Sequence, residues 1–89
     1  MSTEQLIAGV VETADYALFW LNRKKEYAYA KQCGLSGPSN NIIEVLAYMS
    51  RLYAFETASG KPDILRTGEK FLKQFRKGGF GYIMLEDLI

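Results

Sequence analysis

The basic side chains near the carboxyl end of the sequence are the residues best placed to do chemistry. Between positions 61 and 77 the chain carries six basic residues and two acidic ones. Lys70, Lys73 and Lys77 are three and four residues apart, a spacing that places them on one ridge of a helix. A ridge of cationic groups can bind the phosphates of a polyanion. The alternative is a solvated helix face, because runs of charge are common and the net charge is only +1.

A second basic cluster lies in the first third of the sequence, where Arg23, Lys24 and Lys25 are consecutive and Lys31 follows. Aromatic side chains such as Tyr27, Tyr29 and Tyr82 can stack on nucleic-acid bases. In so short a chain, however, we expect these aromatic side chains to lie in the core.

Composition excludes several kinds of active site. The chain has no histidine and one cysteine, Cys33, so an internal disulfide, a Cys-His pair and a Ser-His-Asp triad are impossible within it. A structural zinc site is not expected either. Asp15, Glu44, Glu56 and Glu69 are scattered over the chain and form no acid/base pair. We expect Cys33 to be a small buried side chain, and this chain not to be an enzyme.

Two glycine-containing stretches superficially look like phosphate-binding loops. Gly60-Lys61 lacks the earlier glycine at the required distance, and the next residue, Pro62, has no backbone N–H. The stretch 78–81, GGFG, follows a predicted helix rather than leading into one, so the helix N-terminus that would hold an anion is missing. We expect neither stretch to bind a nucleotide.

The elements that position the basic residues are predicted to be helices. Ser2 with Gln5 three residues later forms a capping box and begins the first helix. Its apolar stripe is Ile7, Val11, Ala14, Leu18 and Leu21. Gly9 favours a break near its start, and Asn22 is expected to end or bend it. A short second helix is predicted within 26–35, with Gly34 as its left-handed C-terminal cap.

Two further helices complete the prediction. Asn41 begins the third helix, which runs to about Phe55, and the polar stretch 56–63 is the main loop. Asp63 caps the fourth helix, which ends at Gly78. The predicted inner face of that helix is Ile64, Leu65, Phe71, Leu72 and Phe75.

The predicted fold class is all-α. With 89 residues and 48% apolar residues, the chain should form a single domain, 1–89, built as a small bundle of four or five helices with a short extended C-terminal segment. Phe80, Ile83 and Leu85 are expected to fold back and close the core. No transmembrane segment and no signal peptide are expected, because the apolar runs are short and no positive charge precedes the first of them.

Two separated stretches resemble the C-terminal helical domain of circularly permuted GTPases of the YlqF/RbgA type. ADYALFWLNRKKEYAYAKQCGL, from Ala14, resembles the domain's beginning, roughly ADYLL-x-x-LN before a short helix ending in GL. GEKFLKQFRKGGFGYIMLE, from Gly68, resembles its end, F-R-x-G-x-L-G-x-(I/V)-x-L-(D/E), with Phe80 in the usual Leu position. The resemblance covers nearly the whole chain from about Val11 and is nearest to the mitochondrial branch, the ribosome-associated GTPase 1 type.

The resemblance implies a role in ribosome assembly. Members of this family bind GTP, hydrolyse it slowly and help the large ribosomal subunit to mature. The GTP-binding motifs of their preceding GTPase domain are absent from this chain. The resemblance therefore implies a C-terminal domain of a longer GTPase that holds no cofactor itself, while GTP and Mg bind in the parent's GTPase domain. The implied location is the mitochondrial matrix, at the inner membrane, with the cytoplasm as the alternative.

The family's helical domain is similar to RNA-binding antiterminator modules, which implies contact with ribosomal RNA and favours RNA binding by the basic ridge. The candidate phosphate-contacting residues are Lys70, Lys73, Arg76, Lys77, Lys24 and Lys25. The expected partners are ribosomal RNA, the large ribosomal subunit and the chain's own GTPase domain, with the chain a monomer. The alternative function is a helical protein–protein interaction module without nucleic-acid binding, which would expose an apolar patch.

Overall fold

A computed structural model describes residues 2–80 and forms four helices in that range. They are α1 (Thr3–Arg23), α2 (Ala28–Gln32), α3 (Ile42–Leu52) and α4 (Ile64–Arg76). The predicted all-α bundle is therefore confirmed. The predicted extended segment after Phe80 and the expected burial of Ile83 and Leu85 lie outside the described residues. Within 2–80, no helix is long and apolar enough to cross a bilayer.

Side-chain caps begin three of the helices, at the residues that the sequence predicts. Ser2 Oγ accepts the N–H of Gln5 at 3.2 Å, and Gln5 Oε1 accepts the N–H of Ser2 at 2.9 Å. Asn41 Oδ1 accepts the N–H groups of the second and third residues of α3. Asp63 Oδ1 accepts the N–H of Arg66 at 3.1 Å. Each cap satisfies N–H groups that have no partner inside the helix.

The predicted break at Gly9 is wrong, because α1 is continuous from Thr3 to Arg23. Glycine costs a helix only about 1 kcal/mol relative to alanine. Val10 and Val11, beside Gly9, pack against the core cluster. The burial of these neighbours outweighs the cost of one glycine. The helix also ends at Arg23, one residue beyond the predicted end at Asn22.

All four described helices end in a Schellman motif. In this motif a residue with left-handed backbone angles follows the helix, and the N–H of the next residue donates to a carbonyl in the helix's last turn. The closing N–H groups of Glu26, Leu35, Phe55 and Gly79 each donate at 2.8 Å to the carbonyls of Leu21, Ala30, Ser50 and Gln74. Gly34 and Gly78 take the left-handed position after α2 and α4, as predicted, with φ of 83° and 75°. After α1 and α3 it is taken by Lys25 and Ala54, with φ of 58° and 57°.

The Ala54→Gly substitution should therefore raise the free energy of unfolding by about 1 kcal/mol, because a Cβ is disfavoured in the left-handed conformation. The matched control is Gly34→Ala, where a Cβ meets only ordinary contacts with Leu52 at 3.8 Å or more. The control should lose a similar amount through backbone strain alone. Urea denaturation of both variants checks this, and an Ala54→Gly protein less stable than the parent would contradict the geometry of the α3 terminus.

The predicted main loop between α3 and α4 folds back on itself. Glu56 and Pro62 form an isolated antiparallel bridge. The Thr57 N–H donates to the Lys61 carbonyl at 2.7 Å, and the Asp63 N–H donates to the Phe55 carbonyl at 2.8 Å. The two ends of the loop are thus held beside each other, so that α3 leads directly into α4.

The core is formed mainly by α1, α3 and α4, and α1 packs most extensively on α4. Its buried apolar side chains are Ala14, Ala17, Leu18, Leu21, Tyr29, Ala30, Cys33, Ile42, Val45, Leu46, Met49, Phe71, Leu72 and Phe80. Tyr29 lies in this core, as predicted, whereas Tyr27 is exposed and its predicted burial is wrong. Tyr82 lies outside the described residues. The Tyr29 hydroxyl donates to Asn22 Oδ1 and accepts the Ser39 N–H at 3.0 Å, which ties the loop after α2 to α1.

Candidate nucleic-acid interface

α4 separates an apolar side from a basic side. Its buried residues, Thr67, Gly68, Phe71 and Leu72, face the core. At 3.6 residues per turn, four basic residues lie opposite them within an arc of about 60°. These four residues, which we call the basic face, are Arg66, Lys70, Lys73 and Lys77. Within residues 2–80, no ion pair joins Lys73 or Lys77 to a carboxylate.

The candidate residues on α4 do not all belong to this basic face. Lys73 and Lys77 are exposed and Lys70 is half-buried. Arg76 is exposed but lies on the flank of the helix, on the same side as Glu69. Arg66 was not among the candidates, although its spacing of four from Lys70 and seven from Lys73 would have placed it on the same ridge.

Two aromatic rings hold one end of the basic face. The Arg66 guanidinium lies 4.1 Å from the centroid of the Phe55 ring, and Lys70 Nζ lies 5.7 Å from that of Tyr53. Tyr53 and Phe55 stack on each other, with centroids 5.7 Å apart and ring planes at 25°. Cation–π attraction of this kind keeps the two cations near fixed positions.

A hollow of about 550 Å³ opens beside α4 and brings three candidate residues together. Its lining residues are Val10, Glu69, Lys70, Leu72, Lys73 and Arg76. Lys70, Lys73 and Arg76 surround it with positive charge, while Glu69 supplies one opposing carboxylate. The hollow therefore favours an anion such as a phosphate, and Glu69 weakens that preference.

The other two candidates lie on a different element. Lys24 is the C-cap of α1, and Lys25 is the left-handed residue that follows. Both are exposed, as is Arg23, whose guanidinium lies 5.8 Å from the centroid of the Trp20 ring. The six candidates thus form two groups: Lys70, Lys73 and Arg76 on α4 with its C-cap Lys77, and Lys24 and Lys25 in the turn between α1 and α2.

Two kinds of reactive group, a metal-binding cluster and a cysteine thiolate, are absent from the described residues. Within 2–80, no three His, Cys, Asp or Glu side chains come together to hold a metal ion. Cys33 is completely buried, and this burial raises the pKa of its thiol to about 12. The thiol is therefore protonated at neutral pH, whereas a nucleophilic cysteine reacts as the thiolate.

Comparison with known proteins finds relatives among GTPases. The mitochondrial GTPase 1 of Aedes aegypti is 30% identical over an alignment of 89 residues. The alignment covers 91% of this chain and 28% of that protein. The mitochondrial ribosome-associated GTPase 1 of Ictalurus punctatus is 31% identical over 84 residues, which cover 82% of this chain and 26% of that protein. The chain thus spans about a quarter of the length of these relatives. No family model matches the chain, and no solved structure matches it.

Proposed function

The chain belongs to the family of the mitochondrial GTPase 1 proteins, and we propose that it is the helical domain through which such a GTPase contacts ribosomal RNA. The name of one relative states that it is associated with the ribosome. The proposed task is assembly of the large ribosomal subunit in the mitochondrial matrix, at the inner membrane. GTP and Mg would bind in the part of the parent GTPase that this chain does not contain, since the chain matches about a quarter of each relative.

The basic face of α4 is the observation that carries this proposal. Its exposed lysines, Lys73 and Lys77, project on the side of the helix opposite the core. Arg76 adds a cation at the neighbouring hollow, and Lys24 and Lys25 supply a second group. Phosphate contacts from such groups position an RNA without reading its sequence. Binding should therefore depend strongly on salt and weakly on sequence.

Filter binding of a ribosomal RNA fragment at several salt concentrations tests the proposal. The double variant Lys73→Gln/Lys77→Gln should reduce the steepness of log K against log salt by about 1.4–1.8, because each lost phosphate contact removes about 0.7–0.9. The matched control is Lys31→Gln/Lys61→Gln, which removes the same charge from exposed positions outside the basic face. The control should keep the parental slope.

Glu69→Gln provides an opposite test within the same hollow, since it removes the carboxylate beside Lys73 and Arg76. It should strengthen RNA binding at low salt. If the Lys73→Gln/Lys77→Gln variant and the Lys31→Gln/Lys61→Gln control lose the same salt dependence, net charge alone explains the binding. That result would contradict the assigned site. Absence of RNA binding at low salt would remove the RNA role altogether.

A second candidate function is docking to a protein, either the parent's GTPase domain or a ribosomal protein. Tyr48 and Leu52 lie four residues apart on one side of α3 and are 42% and 56% exposed, and adjoining apolar exposure of this kind favours a protein partner. Under this function, charge reversal at Lys73 and Arg76 would leave partner binding unchanged, whereas Leu52→Glu would weaken it. Pull-down with the parent's GTPase domain separates the two functions.

A further inference from the structure

An aromatic cluster lies on the outer side of α1, and we define it as Tyr16, Phe19 and Trp20. At 3.6 residues per turn, Tyr16 and Phe19 lie opposite Ala14 and Leu21, which face the core. Tyr16 is 53% exposed and Phe19 is 54% exposed. Their ring planes stand at 75° and 78° to that of Trp20, with centroids 6.2 Å and 5.7 Å away. The cluster therefore presents aromatic surface on the side of the helix that the bundle does not bury.

The aromatic cluster differs from the Tyr53–Phe55 pair in what covers its rings. Tyr53 and Phe55 stack on each other, and Lys70 and Arg66 lie over them. Phe19 instead meets Trp20 edge to face and keeps more than half of its surface exposed. The Tyr53–Phe55 pair thus serves to hold two cations, whereas the Phe19 ring retains accessible area for a ligand.

Positive charge adjoins the carboxyl-terminal end of the aromatic cluster, while the exposed Glu12 and Asp15 lie one turn before it. Arg23 lies one turn beyond Phe19 on the same side of α1, and its guanidinium approaches the Trp20 ring at 5.8 Å. Lys24 and Lys25 follow directly and are exposed. An apolar protein surface would match the rings but not three consecutive cations. An unpaired nucleotide matches both, because it offers a flat base and an anionic phosphate.

We propose that the aromatic cluster binds unpaired RNA nucleotides, with a base stacked on Phe19 or Tyr16 and phosphates contacted by Arg23 and Lys25. This inference rests on the proposed RNA-binding function and adds the class of RNA that binds at α1. A paired A-form helix keeps its bases stacked inside, so that only its phosphates and groove edges are available. The α1 site accordingly selects single-stranded loops, bulges or ends, while the basic face of α4 contacts phosphates in either form.

The chain's single tryptophan makes the site directly observable, because Trp20 belongs to the aromatic cluster. Three probes are titrated against the protein: a short oligoadenylate, a blunt RNA duplex of the same length and inorganic polyphosphate. Oligoadenylate should quench the fluorescence of Trp20, because a base stacks beside it. Polyphosphate offers charge without bases and should bind without quenching. A quench of equal size with polyphosphate would overturn the proposal.

Substitutions at Phe19 separate stacking from packing. Phe19→Ala should weaken oligoadenylate binding about 5- to 150-fold and leave duplex binding unchanged. Phe19→Leu keeps apolar volume without a ring and should behave like Phe19→Ala, whereas Phe19→Tyr should bind as the parent does. Because Phe19 is exposed, the thermal midpoint of all three variants should remain close to that of the parent.

The outcomes distinguish this inference from the proposed function. Loss of oligoadenylate binding in Lys73→Gln/Lys77→Gln, with none in Phe19→Ala, would overturn the stacking site and leave the RNA-binding function in place. If Phe19→Ala weakens the binding of all three probes equally, base stacking on Phe19 would also be overturned. The ring would then affect binding only by stabilising the fold. Weaker binding to the parent's GTPase domain, with RNA binding intact, would assign the cluster to a protein partner instead. No binding to any RNA would end both proposals.

Discussion

Replacing Phe80 with alanine is expected to lower the free energy of unfolding by about 3–5 kcal/mol, the usual cost of removing a buried phenyl ring. Phe80 is only 1% exposed although it lies beyond the end of α4. Its ring packs on that of Phe71, with centroids 5.0 Å apart and planes at 40°. Small domains have a total stability of about 5–15 kcal/mol. Loss of this one side chain should therefore remove much of the stability of the domain.

Urea denaturation followed by circular dichroism measures this effect. Phe19→Ala is the matched control, because it removes the same ring from an exposed position and should change stability by less than about 0.5 kcal/mol. If Phe80→Ala is unfolded without urea, Phe80→Leu keeps the measurement possible and should lose about 1–2 kcal/mol. Leucine is the residue that the family's terminal pattern places at this position. Equal stability of the two alanine variants would show that Phe80 does not close the core.

Replacing Gly68 with alanine should destabilise the domain by about 1–3 kcal/mol through overpacking. A Cβ at this position would lie 2.4 Å from Val10 Cγ1, far inside van der Waals contact. Both residues are on helices that pack together, so either the valine must move or α4 must shift away from α1. Alanine normally favours a helix over glycine by about 1 kcal/mol. The clash should reverse that sign.

Gly9→Ala is the control for Gly68→Ala, since a Cβ on Gly9 meets nothing within 4 Å. It should stabilise the domain by up to about 1 kcal/mol. The double variant Val10→Ala/Gly68→Ala should recover part of the loss, and a double-mutant cycle measures the coupling between the two positions. A stabilising Gly68→Ala, similar to Gly9→Ala, would mean that α1 and α4 are further apart than the structure shows.

Local sequence signals predicted the parts of the fold that local chemistry determines. Ser2, Asn41 and Asp63 cap their helices because a short polar side chain at that position reaches N–H groups that have no partner inside the helix. Gly34 and Gly78 end α2 and α4 because they adopt positive φ without strain. These interactions involve residues a few positions apart, so the order of the amino acids is enough to identify them.

Features that depend on how the helices pack were missed. Lys25 and Ala54 adopt positive φ although their side chains oppose it, because the chain must turn there to continue the bundle. Nothing near Gly68 in the sequence indicates its role, because its close approach to Val10 requires the placement of α1 against α4. The contact of Arg66 with Phe55 likewise requires α3 and α4 to be positioned first.

The candidate site was predicted in part for the same reason. Helical spacing located the ridge of Lys70, Lys73 and Lys77 on α4, since a helix fixes which residues share a side. The exposure of Phe19 was not predicted, because apolar content alone assigns an aromatic side chain to the core of a short chain. RNA contact by the six candidates, five lysines and Arg76, remains a prediction for the binding experiments.

The loop between α3 and α4, whose two ends are hydrogen-bonded to each other, has a practical and an evolutionary consequence. Because the Asp63 N–H reaches the Phe55 carbonyl, the chain leaves and re-enters the bundle at one point. Extra residues inserted near Gly60, which is exposed, would extend into solvent without changing the separation of the helices. Length variation among homologues should accumulate there, and the same position should accept a fluorophore or an affinity tag without disturbing either group of basic residues.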